Sequence, residues 1–204
     1  MLDGAMRRLI DPPLNRAGAA LARLGVTANA VTLAGAGAAL AMTAALALGA
    51  LGWALGFLAL SRLADGLDGA IARSAGKSGF GGYLDIVCDY VFYAGVPLGF
   101  ALADPAMNGA AAAGLLAAFY VNGGTFLGYS VLAERHGLET ATRGVKSLYF
   151  TGGLAEGTET IAVFVAMMLF PAAFVWIAWG FAALTAVTAA SRLLLAARVF
   201  GGKA

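Results

Sequence analysis

The chain has 204 residues, 61% of them hydrophobic and only 12% charged, with a formal net charge of +2 and a mean hydropathy of +0.83. This composition lies far outside soluble usage, and several segments reach the length needed to cross a bilayer, so the chain reads as an integral membrane protein. A single cysteine excludes an intramolecular disulfide. With one histidine as well, any bound metal must be held by oxygen, which favours Mg2+, Mn2+ or Ca2+ over zinc or iron.

The N-terminal stretch MLDGAMRRLIDPPLN has no apolar h-region, so no cleavable signal peptide is expected. Residues 3–24 mix Arg with Leu, Ile and Met around a Pro12-Pro13 break. They fit either an interfacial amphipathic segment on the inner leaflet or a plain juxtamembrane anchor. The expected organisation is a juxtamembrane segment over residues 1–26 and a membrane domain over 27–204. Six spans are predicted in that domain, at Thr27–Leu48, Leu51–Ala72, Leu84–Ala103, Met107–Ala133, Ser147–Phe170 and Ala172–Arg198. Short turns join them at Gly49, Asp104-Pro105 and Pro171, along with two polar loops, Arg73–Tyr83 and Glu134–Lys146. The predicted fold is all-α, a polytopic bundle in which abundant Gly and Ala let helix backbones approach closely.

The 13 basic residues set the orientation. Arg7, Arg8, Arg16 and Arg23 precede span one, Arg62, Arg73 and Lys77 end span two, and Arg135, Arg143 and Lys146 lie between spans four and five. Arg192, Arg198 and Lys203 close the chain. All fall on one side, which the positive-inside rule makes the cytoplasm, with both termini inside. Trp53, Trp176 and Trp179 fall near the opposite interface, as an aromatic belt would.

Four of the 11 acidic residues, Asp65, Asp68, Asp85 and Asp89, lie within 25 residues of one another. Asp65 and Asp68 are i,i+3 near the cytoplasmic end of span two, and Asp85 and Asp89 are i,i+4 at the start of span three, so each pair shares a helix face. The short Gly-rich connection makes the two helices antiparallel neighbours, with their acids at one depth. Four anions this close would repel strongly, and a bound cation is the usual remedy for intramembrane acids. Aspartate-only ligation suits one or two Mg2+ or Mn2+ ions, and a pair of metals can clamp a phosphoryl group. Gly69 allows close backbone approach, Arg73 one turn on can take phosphate oxygens, and the loop glycines can turn N–H groups toward an anion. Two other readings stand beside this one. The acids could be solvated helix ends paired with Arg62, Arg73 and Lys77, or a proton or cation pathway such as a transporter uses. Cys88 reads as packing, off the face of the two aspartates, and His136 as a solvated loop residue.

At these residues the chain resembles the CDP-alcohol phosphotransferase family. Its pattern D-x2-D-G-x2-A-R is matched by Asp65, Asp68, Gly69, Ala72 and Arg73, and its G-x3-D-x3-D by Gly81, Asp85 and Asp89. Seven residues rather than the family's eight separate Arg73 from Gly81, which blurs whether Ser78 or Gly79 takes the nucleotide contact made from that loop. The stretch VTANAVTLAG is similar to the family's T-P-N-x-x-T, with Ala28 replacing the proline and Asn29 and Thr32 set to line the cytidine-phosphate pocket. As a whole the chain resembles a branch of enterobacterial inner-membrane proteins within the family. The resemblance implies transfer of a phosphatidyl group from a CDP-linked lipid, normally CDP-diacylglycerol, to an alcohol, with release of CMP. It implies two divalent cations, Mg2+ or Mn2+, on Asp65, Asp68, Asp85 and Asp89, with Asp89 also the general base. Gly69 and Arg73 would contact the nucleotide diphosphate. A homodimer in the bacterial inner membrane is implied, with the bilayer as partner and no nucleic acid.

For the acceptor, Arg143, Lys146 and Ser147 at the start of span five and Arg192 in span six could bind the phosphate of glycerol 3-phosphate or inositol phosphate. They could equally be topogenic. Glu156 and Glu159, i,i+3 in span five, would face the polar cavity and bind acceptor hydroxyls, or pair internally with an Arg such as Arg192. Glycerol 3-phosphate is the expected acceptor, with inositol phosphate, serine or another polyol as alternatives.

Overall fold

A backbone without water to bond must satisfy its own polar groups, and stretches this rich in Ala and Leu do so as helices. The computed structural model describes residues 3–137 and 157–201, and among them there is no strand. Its helices are α1 (Asp3–Arg23), α2 (Ala28–Ala47), α3 (Leu51–Ala75), α4 (Gly79–Ala103), α5 (Pro105–Arg135), α6 (Gly157–Leu169) and α7 (Phe174–Phe200), the last preceded by a 3-10 turn over Pro171–Ala173. Among the described residues, four stretches are long and apolar enough to cross a membrane: α2, α4, α5 and the run Pro171–Phe200. Helix α3 is 25 residues long but carries Arg62 near its middle and Asp65, Asp68 and Arg73 in its second half. The start of predicted span five and most of the second polar loop lie outside the described residues.

The ends follow local chemistry. Thr27 caps α2, its Oγ1 accepting from the Ala30 N–H at 3.3 Å, and Asp104 caps α5 by accepting from the Met107 N–H at 3.0 Å, with Pro105 in the first turn. Two expectations are corrected. The Pro12-Pro13 pair does not break the N-terminal segment but lies inside α1, with both rings exposed. Each proline removes a backbone donor, yet α1 is held from its other face, where Leu14 lies over Gly66 and Gly18 sits against Ala70 and Ile71 of α3. Packing overrides propensity here. The polar loop expected over Arg73–Tyr83 shrinks to Gly76, Lys77 and Ser78. Helix α3 runs on to Ala75 and stops at Gly76, whose φ of 108° favours glycine. Ser78 then accepts from the Gly81 N–H at 3.0 Å and draws Gly79–Gly82 into the first turn of α4.

Helix α2 packs against both α3 and α4, α5 packs along α7, and α4 against α5 joins the two groups, while α1 lies along α3. At the end away from the aspartates the core is aromatic, with Phe100 and Phe174 stacked 4.2 Å apart and 13° from parallel. Nearer the middle, Phe92, Tyr93, Phe119 and Phe164 meet edge-on or tilted. Gly95 and Gly99 let α4 close on α2, since a Cβ at Gly99 would lie 2.6 Å from the Leu46 Cβ and 3.0 Å from the Thr43 carbonyl oxygen. Gly99→Ala should therefore push α2 and α4 apart and cost about 1–3 kcal/mol, read as a lower unfolding midpoint of purified protein in detergent. An unchanged midpoint would show that the helices part freely.

Candidate active site

Three carboxylates converge where α3 ends and α4 begins. Asp65, Asp68 and Asp85 each offer an oxygen, and these oxygens all lie within 4.8 Å of one another. Asp68 is buried, and Asp65 and Asp85 are half-buried. The short connector turns the chain back on itself, so residues spaced three and four apart on one helix meet those on the other. The cleft they line has a volume of about 10 Å³, room for about one water-sized sphere. All-carboxylate donors around so small a space fit a hard divalent cation and suit zinc or copper poorly.

Thr32 supports this cluster from α2. Its hydroxyl lies 2.5 Å from Asp68 Oδ2 and 3.0 Å from the Ala28 carbonyl. A hydroxyl has one proton, and the shorter, charge-assisted contact to the carboxylate takes it. Thr32, expected in the nucleotide pocket, is thus buried in the cleft with its donor committed to Asp68. Asn29 stands one turn earlier on α2, near the first turn of α4, where a Cβ at Gly81 would lie 3.1 Å from its Oδ1. Ser78 uses its hydroxyl as the α4 cap, and Gly79 is the first, exposed residue of that helix rather than part of a loop.

Asp89 stands apart from the other three. It lines the same cleft one turn further along α4, where its Oδ1 accepts from Arg62 Nη1 at 3.1 Å. The same nitrogen lies 3.5 Å from Asp65 Oδ2. Arg62 Nη2 donates to Ser61 Oγ at 3.3 Å, and the guanidinium carbon lies 3.6 Å over the centre of the buried Phe92 ring. Of the three basic partners weighed from sequence for the acids, Arg62 makes the pairing. Its place three residues before Asp65, on the same helix face, was the available signal. Arg73 turns the other way. Its Nε and Nη2 donate to Asn15 Oδ1 of α1 at 3.1 and 2.8 Å, and a Cβ at Gly69 would lie 3.3 Å from its Nη1. Asn15 was not foreseen, because its contact crosses 58 positions of sequence. Cys88 lines the aspartate cleft, which corrects its assignment to packing, since a residue i+3 from Asp85 shares that residue's face.

The expected acceptor residues Arg143, Lys146, Ser147 and Glu156 lie outside the described residues. Glu159 is half-buried in the first turn of α6. Arg192 does not line the aspartate cleft; its Nη1 donates to the Asn122 carbonyl at 3.1 Å, to Asn122 Oδ1 at 2.9 Å and to Thr125 Oγ1 at 3.0 Å, tying α7 to α5. His136 is exposed at the end of α5, its Nδ1 2.8 Å from the Leu132 carbonyl.

Three carboxylates thus gather around room for one ion, at one end of an apolar helical bundle. The chain belongs to the CDP-alcohol phosphatidyltransferase family, whose sequence model matches residues 25–194. It is 44% identical over 193 residues to the inner membrane protein YnjF of Escherichia coli K12, covering 95% of this chain and 94% of that one. It is also 34% identical over 166 residues to the archaetidylinositol phosphate synthase of Pyrococcus horikoshii, covering 80% of each. Among solved structures it resembles the Mycobacterium tuberculosis phosphatidylinositol phosphate synthase PgsA1 with CDP-DAG bound, at 26% identity and a TM-score of 0.67 over 91% of this chain and 92% of that one. The same enzyme in complex with manganese and citrate matches with a TM-score of 0.70 at 26% identity, over 91% of this chain and 88% of that one.

The Thr32 contact yields a direct test. Thr32→Val keeps the shape and removes the donor, and should weaken Mn2+ binding about tenfold by electron paramagnetic resonance titration, as loss of an outer-shell partner does. Unchanged binding would show that Asp68 needs no orienting donor.

Proposed function

We propose that this chain transfers the phosphatidyl group of CDP-diacylglycerol to an alcohol and releases CMP, as a step of phospholipid biosynthesis. The reading is carried by the convergence of the Asp65, Asp68 and Asp85 oxygens within 4.8 Å. PgsA1, a structural relative with the same helical architecture, binds CDP-DAG, and has been solved in complex with manganese.

In this reading Asp65, Asp68 and Asp85 hold one divalent cation, Mg2+ or Mn2+, and Asp89 takes part in holding a second. Bound cations would neutralise the pyrophosphate and stabilise charge on the attacking and leaving oxygens. Gly69 lets the nucleotide diphosphate approach the backbone, Arg73 takes its oxygens, and Asn29, Ser78 and Gly79 flank the cytidine end. Asp89 accepts the proton of the acceptor hydroxyl, which attacks the lipid-bearing phosphorus while the bond to CMP breaks. The distribution of basic residues supports a site facing the cytoplasm of a bacterial inner membrane.

The acceptor is a phosphorylated polyol. Glycerol 3-phosphate fits the basic residues Arg143, Lys146 and Arg192, with Ser147, Glu156 and Glu159 available for hydroxyls. Inositol phosphate is supported by two relatives that are inositol phosphate synthases by name. Family resemblance also supports a homodimer.

Purified protein should release CMP from CDP-diacylglycerol only with Mg2+ or Mn2+ and a suitable alcohol, and Asp89→Asn should lower kcat by at least about a hundredfold. Mass spectrometry of the lipid product distinguishes the two acceptors. A panel of alcohols that yields no CMP, combined with ion movement in liposomes, would instead favour a cation- or proton-coupled transporter. Asn15→Ala removes both hydrogen bonds that Arg73 makes to Asn15, and should free the Arg73 fork and raise KM for the CDP-lipid about fivefold with kcat little changed. An unaltered KM would mean that α1 leaves donor binding alone.

A further inference from the structure

The three converging carboxylates and Asp89 are not equivalent. Asp65, Asp68 and Asp85 face one small space, whereas Asp89 is engaged by Arg62 one helical turn away. Arg62 precedes Asp65 on α3 and Asp89 follows Asp85 on α4, so both lie on the side of the cluster away from the connector and form its floor. The guanidinium is well held there. It rests on the buried Phe92 ring, reaches Ser61 with one nitrogen and bridges Asp89 and Asp65 with the other. Its Nε is buried and has no hydrogen-bond partner among the described residues. A cation on Asp89 would stand within a few ångströms of this fixed positive charge, and like charges that close and partly withdrawn from water repel.

From this geometry we infer that Arg62 is a built-in competitor for the second cation, and that the centre therefore loads in order. The first ion enters the site that Asp65, Asp68 and Asp85 already form. The second reaches Asp89 only by displacing the Arg62 nitrogen from its Oδ1. Arg62 is thus a positioning residue: it holds the proposed base in place and away from other partners until the second ion arrives. This rests on the metal-dependent reading above and adds to it a difference between the two sites.

The test is a Mn2+ titration of the purified full chain in detergent, with free Mn2+ read by electron paramagnetic resonance, independent of turnover. The wild type should show one tight and one weak ion, with apparent Kd values at least about tenfold apart. Arg62→Gln should tighten the weak ion about tenfold and leave the tight one within about threefold, whereas Arg62→Lys, which keeps the charge, should keep the gap. One ion in the wild type and two in Arg62→Gln would also support competition. Two equivalent ions in the wild type, one ion in both proteins, or a gap unchanged in Arg62→Gln would overturn the role of Arg62 while leaving a metal centre in place. No bound Mn2+ in the wild type would overturn the metal reading itself, and this inference with it.

Discussion

Like charges repel more strongly as water is withdrawn, and four carboxylates at one end of an apolar bundle can stay together only if each finds a positive or donating partner. Much of the local architecture is organised by that requirement. Thr32 gives its proton to Asp68, and Arg62 spans Asp89 and Asp65. The convergent oxygens of Asp65, Asp68 and Asp85 enclose a space of ionic size. Helix α2 comes close enough to deliver Thr32 because α3 and α4 present small surfaces to it, with Gly35 against Ala64 and Gly95 and Gly99 against Met42, Thr43 and Leu46. Close packing of backbones and neutralisation of charge are therefore one problem, solved by the same helices.

The two ends of the bundle divide the work. One is filled by aromatic rings and sulfur-bearing side chains, with Phe100, Phe174, Met167 and Met168 all buried, and gains its order from dense contact. The other is polar and cleft-like. Phe92 belongs to both, since it packs against Tyr93 and Phe164 and carries the Arg62 guanidinium on its ring. A rigid aromatic floor under a flexible cationic side chain limits where that charge can go. This links the order of the core to the electrostatics of the site.

How much of this could be read beforehand varies with how local the cause is. The aspartate pairs were legible because separations of three and four map directly onto a helix face, and the loop glycines pointed to a tight reversal. The helix ends were less so, because the polar run after Arg73 looks like a loop until Ser78 is recognised as a cap that turns the next residues into helix. Pro12-Pro13 misled for a related reason: the rule about proline is local, whereas the contacts of Leu14 and Gly18 with α3 are not. Asn15 with Arg73, and Thr32 with Asp68, pair residues 58 and 36 positions apart, and no periodicity reports such pairs. Arg62 and Cys88 are different again: helical spacing puts Arg62 among the partners weighed for the acids without singling it out, and Cys88 reads as off the aspartate face although it stands three residues after Asp85.

The three-residue connector of Gly76, Lys77 and Ser78 has an evolutionary consequence. Inside a helix, each residue gained or lost turns everything beyond it by roughly 100°, so a single deletion within α3 or α4 would swing an aspartate out of the cleft. Only at the connector, and in the cap that restarts α4, can the chain change length without altering the rotational phase of either acidic pair. The seven residues between Arg73 and Gly81, where the pattern that this chain resembles has eight, contain this connector. The connector works as a phase lock between two helices: what it has to keep is the angle it sets rather than its own length.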